Sequence, residues 1–422
     1  GDIQVDVFLW HGVGYRESPS LFAIRSSSMG FLSGSVTFER FRIEKDPSGS
    51  FGDEHLEILK QHRIGNSNAR LHEQPSIGFT GGSHLFDTEF DREKNILGEA
   101  LHFGVRIDSC SIPGPIKRAW MQMELVGVMG DQLGDRPTKA QREEAKEAVD
   151  ARCELEAQKG NYKRMAETSI LWDADTETVF LGSASEKTND SCIDLMERAF
   201  EMEFSRVSSG KLALEYAQEV GANAELFAIE PTAFLPGESA QVTWWNGMTD
   251  NYDYLGNEFL LWLWWKWDTG PDTLPLADES EVTGMFARSL SLDCPQGEHG
   301  KESISSESPV ALPEAGMAIR MGKLPRKAGL TLIRNGEQYD FNLQAETGIL
   351  GSAKISRPGD SGTEIRDRQD RIESLRTMAE TFDLLFELFC SKRIGKTWNA
   401  ESKKLTQWLQ SDATIRKRKT AT

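Results

Sequence analysis

Two sets of side chains in this sequence are spaced so that they could do chemistry. The first is cationic: Arg106, then Lys117 and Arg118, then Arg136, Lys139 and Arg142, and finally Lys163 and Arg164 beside Tyr162. Lysines and arginines on neighbouring elements can follow the phosphates of a nucleic-acid backbone and need few contacts to bases. The group at Arg136 to Arg142 falls where a helix should begin, and the free N–H groups of a helix start also attract anions. The second set is acidic: Asp173, Asp175 and Glu177 could be imagined as nuclease metal ligands. The same residues suit an ordinary hairpin turn, and no lysine sits two residues beyond an acid in a strand there. Elsewhere no nucleophile meets a base and no carboxylates pair, so no catalytic residue, metal site or cofactor is assigned. Glu99 and His102 have helical ligand spacing but fall in an expected strand.

The elements that must position the cations can be read in order. Leu101, Phe103, Val105 and Ile107 alternate with polar neighbours, which predicts a half-buried strand with Arg106 on its other face. Pro113 opens a helix running to about Leu125 and carrying Lys117 and Arg118. Thr138 and Gln141 have capping-box spacing. They start a long helix to about Lys159 whose apolar stripe is thin, closed by Gly160 and Asn161. A β-hairpin follows over 168–185. Asn189 or Asp190 then caps a helix with Ile193, Met196, Ala199 and Phe200 on one face.

The remaining chain supplies the framework. A strand is expected over Ser35 to Ile43, a helix over Asp53 to Arg63, and a glycine-rich loop over Pro75 to His84 that is not a phosphate loop. Residues 212–251 are patterned weakly, as short strands and loops. Asn257 to Trp267 is apolar all round and predicts a buried helix. Strand signals recur near 286–293, a short helix over 314–321, and a hairpin around Asn335-Gly336 with a third strand over 349–355. Ile372, Leu375, Ala379, Phe382, Phe386 and Phe389 give a long helix over 364–390 a heptad-like stripe that wants a partner, in the same chain or in a second copy.

Composition narrows the class. The chain has 422 residues, 38% hydrophobic and 27% charged, enough for a substantial core. The net charge of −18 argues against a broadly basic coat, though a local basic channel can sit on an acidic body. Five cysteines without a C-x-x-C pair fit a reduced, cytoplasmic setting. The longest apolar run, Phe259 to Trp265, is far shorter than the roughly 20 residues of a membrane span, so no membrane partner is expected.

Several collinear segments bear a family likeness. They are Met29-Gly-Phe-Leu-Ser-Gly-Ser35, Phe103-Gly-Val-Arg-Ile-Asp108 followed by Ile112-Pro113, and Ile170-Leu-Trp-Asp173 with its hairpin. Glu258-Phe-Leu-Leu-Trp-Leu-Trp264, Ala318-Ile-Arg-Met-Gly-Lys323 and the pair Trp398 and Trp408 follow in order. From Met29 to about Leu409 the chain resembles the RdgC-type recombination-associated proteins. The resemblance implies non-specific binding of double-stranded DNA by a ring-shaped homodimer, a nucleoid location, and antagonism towards recombinase filaments. It places Tyr162 on an aromatic-bearing, DNA-facing projection. Gly130 to Asp135 departs from the densely basic stretch common in relatives. The resulting expectation is an α+β protein with mixed helices and antiparallel sheets in two or more lobes. Its regions would be a leader at 1–28 outside the fold, a DNA-facing region at 29–220, a middle region at 221–360, a helical region at 361–411 and a basic tail at 412–422. A DNA-processing exonuclease and a structural assembly protein are the alternative readings.

Overall fold

A computed structural model describes residues 30–44, 49–65, 75–130, 136–235, 242–244, 251–297, 300–355 and 364–411. The expected leader at 1–28, the basic tail at 412–422 and the acidic segment 131–135 lie outside the described residues.

The sheet is joined at β1 (Ser35–Ile43). Its first half pairs with β13 (Leu350–Lys354), placing Val36 opposite Ala353. Its second half pairs with β6 (Thr178–Leu181), placing Glu39 opposite Leu181. Beyond β6 lie β5 (Lys163–Asp173), β4 (Ala100–Cys110) and β2 (Ser76–Thr80). Beyond β13 lie β12 (Glu337–Gln344), β11 (Leu324–Arg334), β9 (Glu281–Asp293) and β10 (Glu302–Ser306). Three short strands complete it: β3 (Ile96–Leu97) on β4, β7 (Phe204–Arg206) on β1 and β8 (Thr273–Pro275) on β9. These pairings are all antiparallel. With eleven α-helices among the described residues, the class is α+β. The β1–β13 ladder ties the region expected at 29–220 to the one expected at 221–360.

The helices are α1 (Asp53–Gln61), α2 (Arg92–Asn95), α3 (Gly114–Met129), α4 (Lys139–Gln158), α5 (Glu186–Phe200), α6 (Ser209–Glu219), α7 (Asn223–Phe227), α8 (Leu255–Thr269), α9 (Pro313–Arg320), α10 (Glu364–Arg393) and α11 (Trp398–Gln410). α1 and α5 cover one face of β4, β5 and β6, closing a core around Trp172, Phe79 and Phe103. A larger core runs along α6, α8, α10 and α11 against β9, β11 and β13. The heptad-like stripe of α10 is buried there: Phe382, Phe386 and Phe389 surround Phe259 of α8 at 6.2, 5.2 and 5.7 Å between ring centres. The partner of that stripe is therefore this chain's own α8 and sheet.

Four readings of the sequence need correction. Residues 76–80 form β2, not loop, because pairing with β4 satisfies the backbone and Gly78 lets it pass close to Ile64, where a Cβ would come within 2.5 Å of backbone nitrogen. The strand at 100–110 is buried on both faces over most of its length. The helix after the hairpin is capped by Ser185, while Asn189 is interior and donates to Glu39 at 2.6 Å. Residues 209–219 and 223–227 form two helices, with Ser208 capping α6. By contrast the Asn335-Gly336 turn has the two positive φ values, 54° and 83°, that a type I′ hairpin requires.

Charged side chains fasten α10 across the joined sheet. Arg376 binds Asp173 of β5 through two bonds of 2.9 and 2.5 Å. Asp383 accepts two bonds of 2.7 Å from Arg40 of β1. Glu380 accepts from Arg334 of β11 at 2.8 Å. Asp173 is fully buried, so removing its partner leaves an uncompensated carboxylate. Arg376→Ala should lower unfolding stability by roughly 3 kcal/mol, and adding Asp173→Ala should recover part of that loss. Urea denaturation of the two variants measures both; additive losses would show that the pair does not couple.

Candidate nucleic-acid interface

Most of the expected cations fall on one structure, a helical arm. β4 and β5 pair along their whole length, ending at the rung where Cys110 faces Lys163. Helices α3 and α4 are the insertion between those two ends, and they pack chiefly on each other. Their shared core is small. Ile112, Trp120 and Val149 are buried, with Cys110, Ile116, Met121, Cys153 and Tyr162 half-buried around them. Arg152 of α4 lies over the Trp120 ring at 4.6 Å. The capping box at the start of α4 is formed, the Gln141 backbone donating to Thr138 Oγ1 and the Thr138 backbone to Gln141 Oε1.

The expected site residues divide into two groups. Lys117, Arg118, Arg136, Lys139 and Arg164 are exposed, as is Arg142, and none has an ion pair among the described residues. Arg106, Tyr162 and Lys163 are engaged inside the protein. Arg106 is 8% exposed and grips Asp108 through bonds of 2.6 and 2.7 Å. It also donates to the Leu85 carbonyl at 3.2 Å and lies over Phe86. Lys163 shares the Asp108 Oδ2 with Arg106, at 3.0 Å. Arg106 is thus buried and held by partners within the protein. Burial alone would raise the Asp108 pKa, but the bonds from Arg106 and Lys163 outweigh it and hold the carboxyl below its ordinary value. The Arg106–Asp108 pair could have been read from spacing, since residues two apart in a strand share a face. Tyr162 has φ of 60° and packs on the arm's core, leaving only part of its ring as surface.

The arm is not uniformly basic. α4 holds four basic residues, Lys139, Arg142, Lys146 and Arg152, against six acidic ones. Lys139, Arg142 and Lys146 follow helical spacing along one flank of its first half, and Glu143, Glu147, Asp150 and Glu154 line the adjoining flank. An anion approaching the arm therefore meets attraction from α3, the start of α4 and Arg164, and repulsion along the middle of α4.

No family model and no curated protein matches this chain.

Two other constellations have clear structural roles. Asp173 holds Arg376, and Asp175 lies 2.9 Å from the same guanidinium, so these acids are ion-paired. Among the described residues no group of three or more His, Cys, Asp or Glu is placed to hold a metal ion. His102 Nε2 lies 3.0 Å from Ser169 Oγ. Burial, with Arg368 and Lys94 nearby, pushes His102 down to about 4, so the ring is neutral at pH 7. It is 3% exposed, and neighbouring Glu167 binds Thr80 instead of orienting it. No described helix is long and apolar enough to cross a membrane.

The Asp108 cluster gives a pH prediction. Its folded pKa is depressed, so its stabilisation is present above the unfolded value and is lost as pH falls through the folded one. Asp108→Asn should therefore destabilise the fold at neutral pH, and the gap to wild type should close below pH 3.8, the ordinary value of the group. Thermal melts from neutral to acid pH measure this; a constant gap would mean the carboxylate's charge is irrelevant.

Proposed function

We propose that this chain binds duplex DNA without sequence preference and modulates recombination, acting as an RdgC-like homodimer. The observation that carries the reading is the arm with the adjoining end of β5: exposed Lys117, Arg118, Arg136, Lys139 and Arg142 on the arm and Arg164 on β5, without carboxylate partners among the described residues, on a chain of net charge −18. An acidic body repels DNA, so a projecting patch of free cations concentrates attraction in one place. Phosphate binding of this kind fixes position without reading sequence. The collinear resemblance to RdgC-type proteins supplies the ring geometry and the antagonism towards recombinase filaments. The dimer rests on that resemblance alone, because the α10 stripe is covered within the chain. A nucleoid location follows from the same reading.

The test is the salt dependence of binding to unrelated duplexes. Every cation–phosphate pair removed should lower the log–log salt slope by roughly 0.9. Lys117→Ala with Arg118→Ala should reduce it by up to about two and weaken binding equally on every sequence, and adding Arg164→Ala should reduce it by up to about one more. Unchanged slopes in folded variants would remove the arm from the interface. Sedimentation at micromolar concentration tests the dimer separately, and a monomer there would remove the ring while leaving DNA binding to the salt titration.

A further inference from the structure

Between α6 and α10 lies a cavity of about 320 Å³ that the DNA reading does not use. Protein interiors are close-packed, and an open space of this size is within the range of small-molecule sites. Its walls come from β1 and β6, from α6 and from α10. Phe180, Leu212, Ala379, Leu384 and Phe386 give it an apolar floor, and Tyr216 adds an aromatic wall.

The charges around this floor do not balance locally. Three guanidiniums line the cavity, and each is already held. Arg40 is bound to Asp383 and Arg376 to Asp173. Arg42 donates to Thr178 Oγ1 at 2.5 Å and to the Thr176 carbonyl at 3.3 Å. Five carboxylates line it: Glu215, Glu219, Glu380, Asp383 and Glu387. Glu380 is matched by Arg334 and Asp383 by Arg40. Glu215 is only loosely paired, 3.6 Å from Arg42. Glu219 and Glu387, from facing helices, have no ion pair among the described residues. Burial raises the pKa of Glu387, and the charge of Glu219 raises it further. The Tyr216 hydroxyl is likewise raised, by burial first and then by Cys390, Glu387 and Glu219, and Tyr216 lines the same cavity as both of these carboxylates.

We propose that this cavity binds a small aliphatic diamine. An ammonium group is the partner that carboxylates and an aromatic face together favour. Glu215 and Glu219 are one helical turn apart on α6, about 6 Å along the axis, a span that roughly four or five methylenes cover. One ammonium sits among Glu219, Glu387 and Tyr216, the methylene chain lies on the apolar floor, and the second ammonium reaches Glu215. An anion is disfavoured because every guanidinium in the lining has its acceptors.

Calorimetric titration of the full chain with 1,5-diaminopentane tests this, with 1,5-pentanediol as the uncharged counterpart. One saturable site per chain is expected for the diamine and none for the diol. Glu219→Gln with Glu387→Gln should weaken binding at least tenfold. A control pair on the exposed surface, Glu54→Gln with Glu93→Gln, should leave it unchanged. Equal weakening in both pairs would overturn the proposal, because it would mark general attraction to an acidic protein. Tyr216→Leu keeps every charge and should weaken binding severalfold; unchanged affinity would also overturn it, and so would the absence of saturation by wild type. Tighter binding of a blocked lysine amide than of the diamine would overturn the small-molecule assignment in favour of a peptide side chain.

Discussion

Burying charge on a long central helix constrains everything else in this protein. α10 spans the join between the two halves of the sheet, and its apolar stripe can be covered only if its arginines and acids find partners on both sides. Arg371 donates to the carbonyls of Phe31, Gly34 and Ile355, fixing the turn before β1 and the end of β13 together. Arg376 and Asp383 reach β5 and β1, while Glu380 reaches β11. At the far end Arg393 meets Glu258 of α8 at 2.5 Å, with both side chains 4% exposed or less. Breaking one such pair strands a charge, so the partners specify one placement of the helix more than they add to net stability.

Local signals were legible in the sequence wherever chemistry is settled within a few residues. The capping box at Thr138 and Gln141, the Asn335-Gly336 turn and the buried, Trp-rich α8 each follow from neighbours in the chain, and each is formed. The reading failed where a distant element decides. β2 is a strand because β4 offers it a ladder, against the loop character of Gly78 and the glycines that follow it. Asn189 has the composition of a helix cap, yet Glu39, 150 residues away in sequence, draws it inside and Ser185 takes the cap.

The candidate site divides the same way. Cations on the arm's surface depend only on helix phase, and that was readable for Lys117, Arg118 and Lys139. Arg106 and Lys163 depend on where Asp108 points, and two strands converge on that one carboxylate. An alternating strand pattern implies a wet face, but this strand is covered on both sides, so its arginine becomes a structural ion. The cavity under α6 and α10 was invisible from sequence, since its residues come from four elements. No short spacing could connect Arg40 with Glu219 and Glu387.

The two regions also differ in how firmly they are held. Around α10 the large aromatic core and the paired charges resist any local opening. Besides the small Ala145 and Ala157, the arm buries only Ile112, Trp120 and Val149, and it carries Met123, Val126 and Leu155 in solvent. With so little apolar area to lose, the arm should open at a smaller free energy than the sheet beneath it. Its cations are therefore mounted on an element held less firmly than the ladder between β4 and β5. At the Asp108 cluster Arg106 and Lys163 tie both strands to one carboxylate beneath the arm, a restraint that α3 and α4 themselves lack.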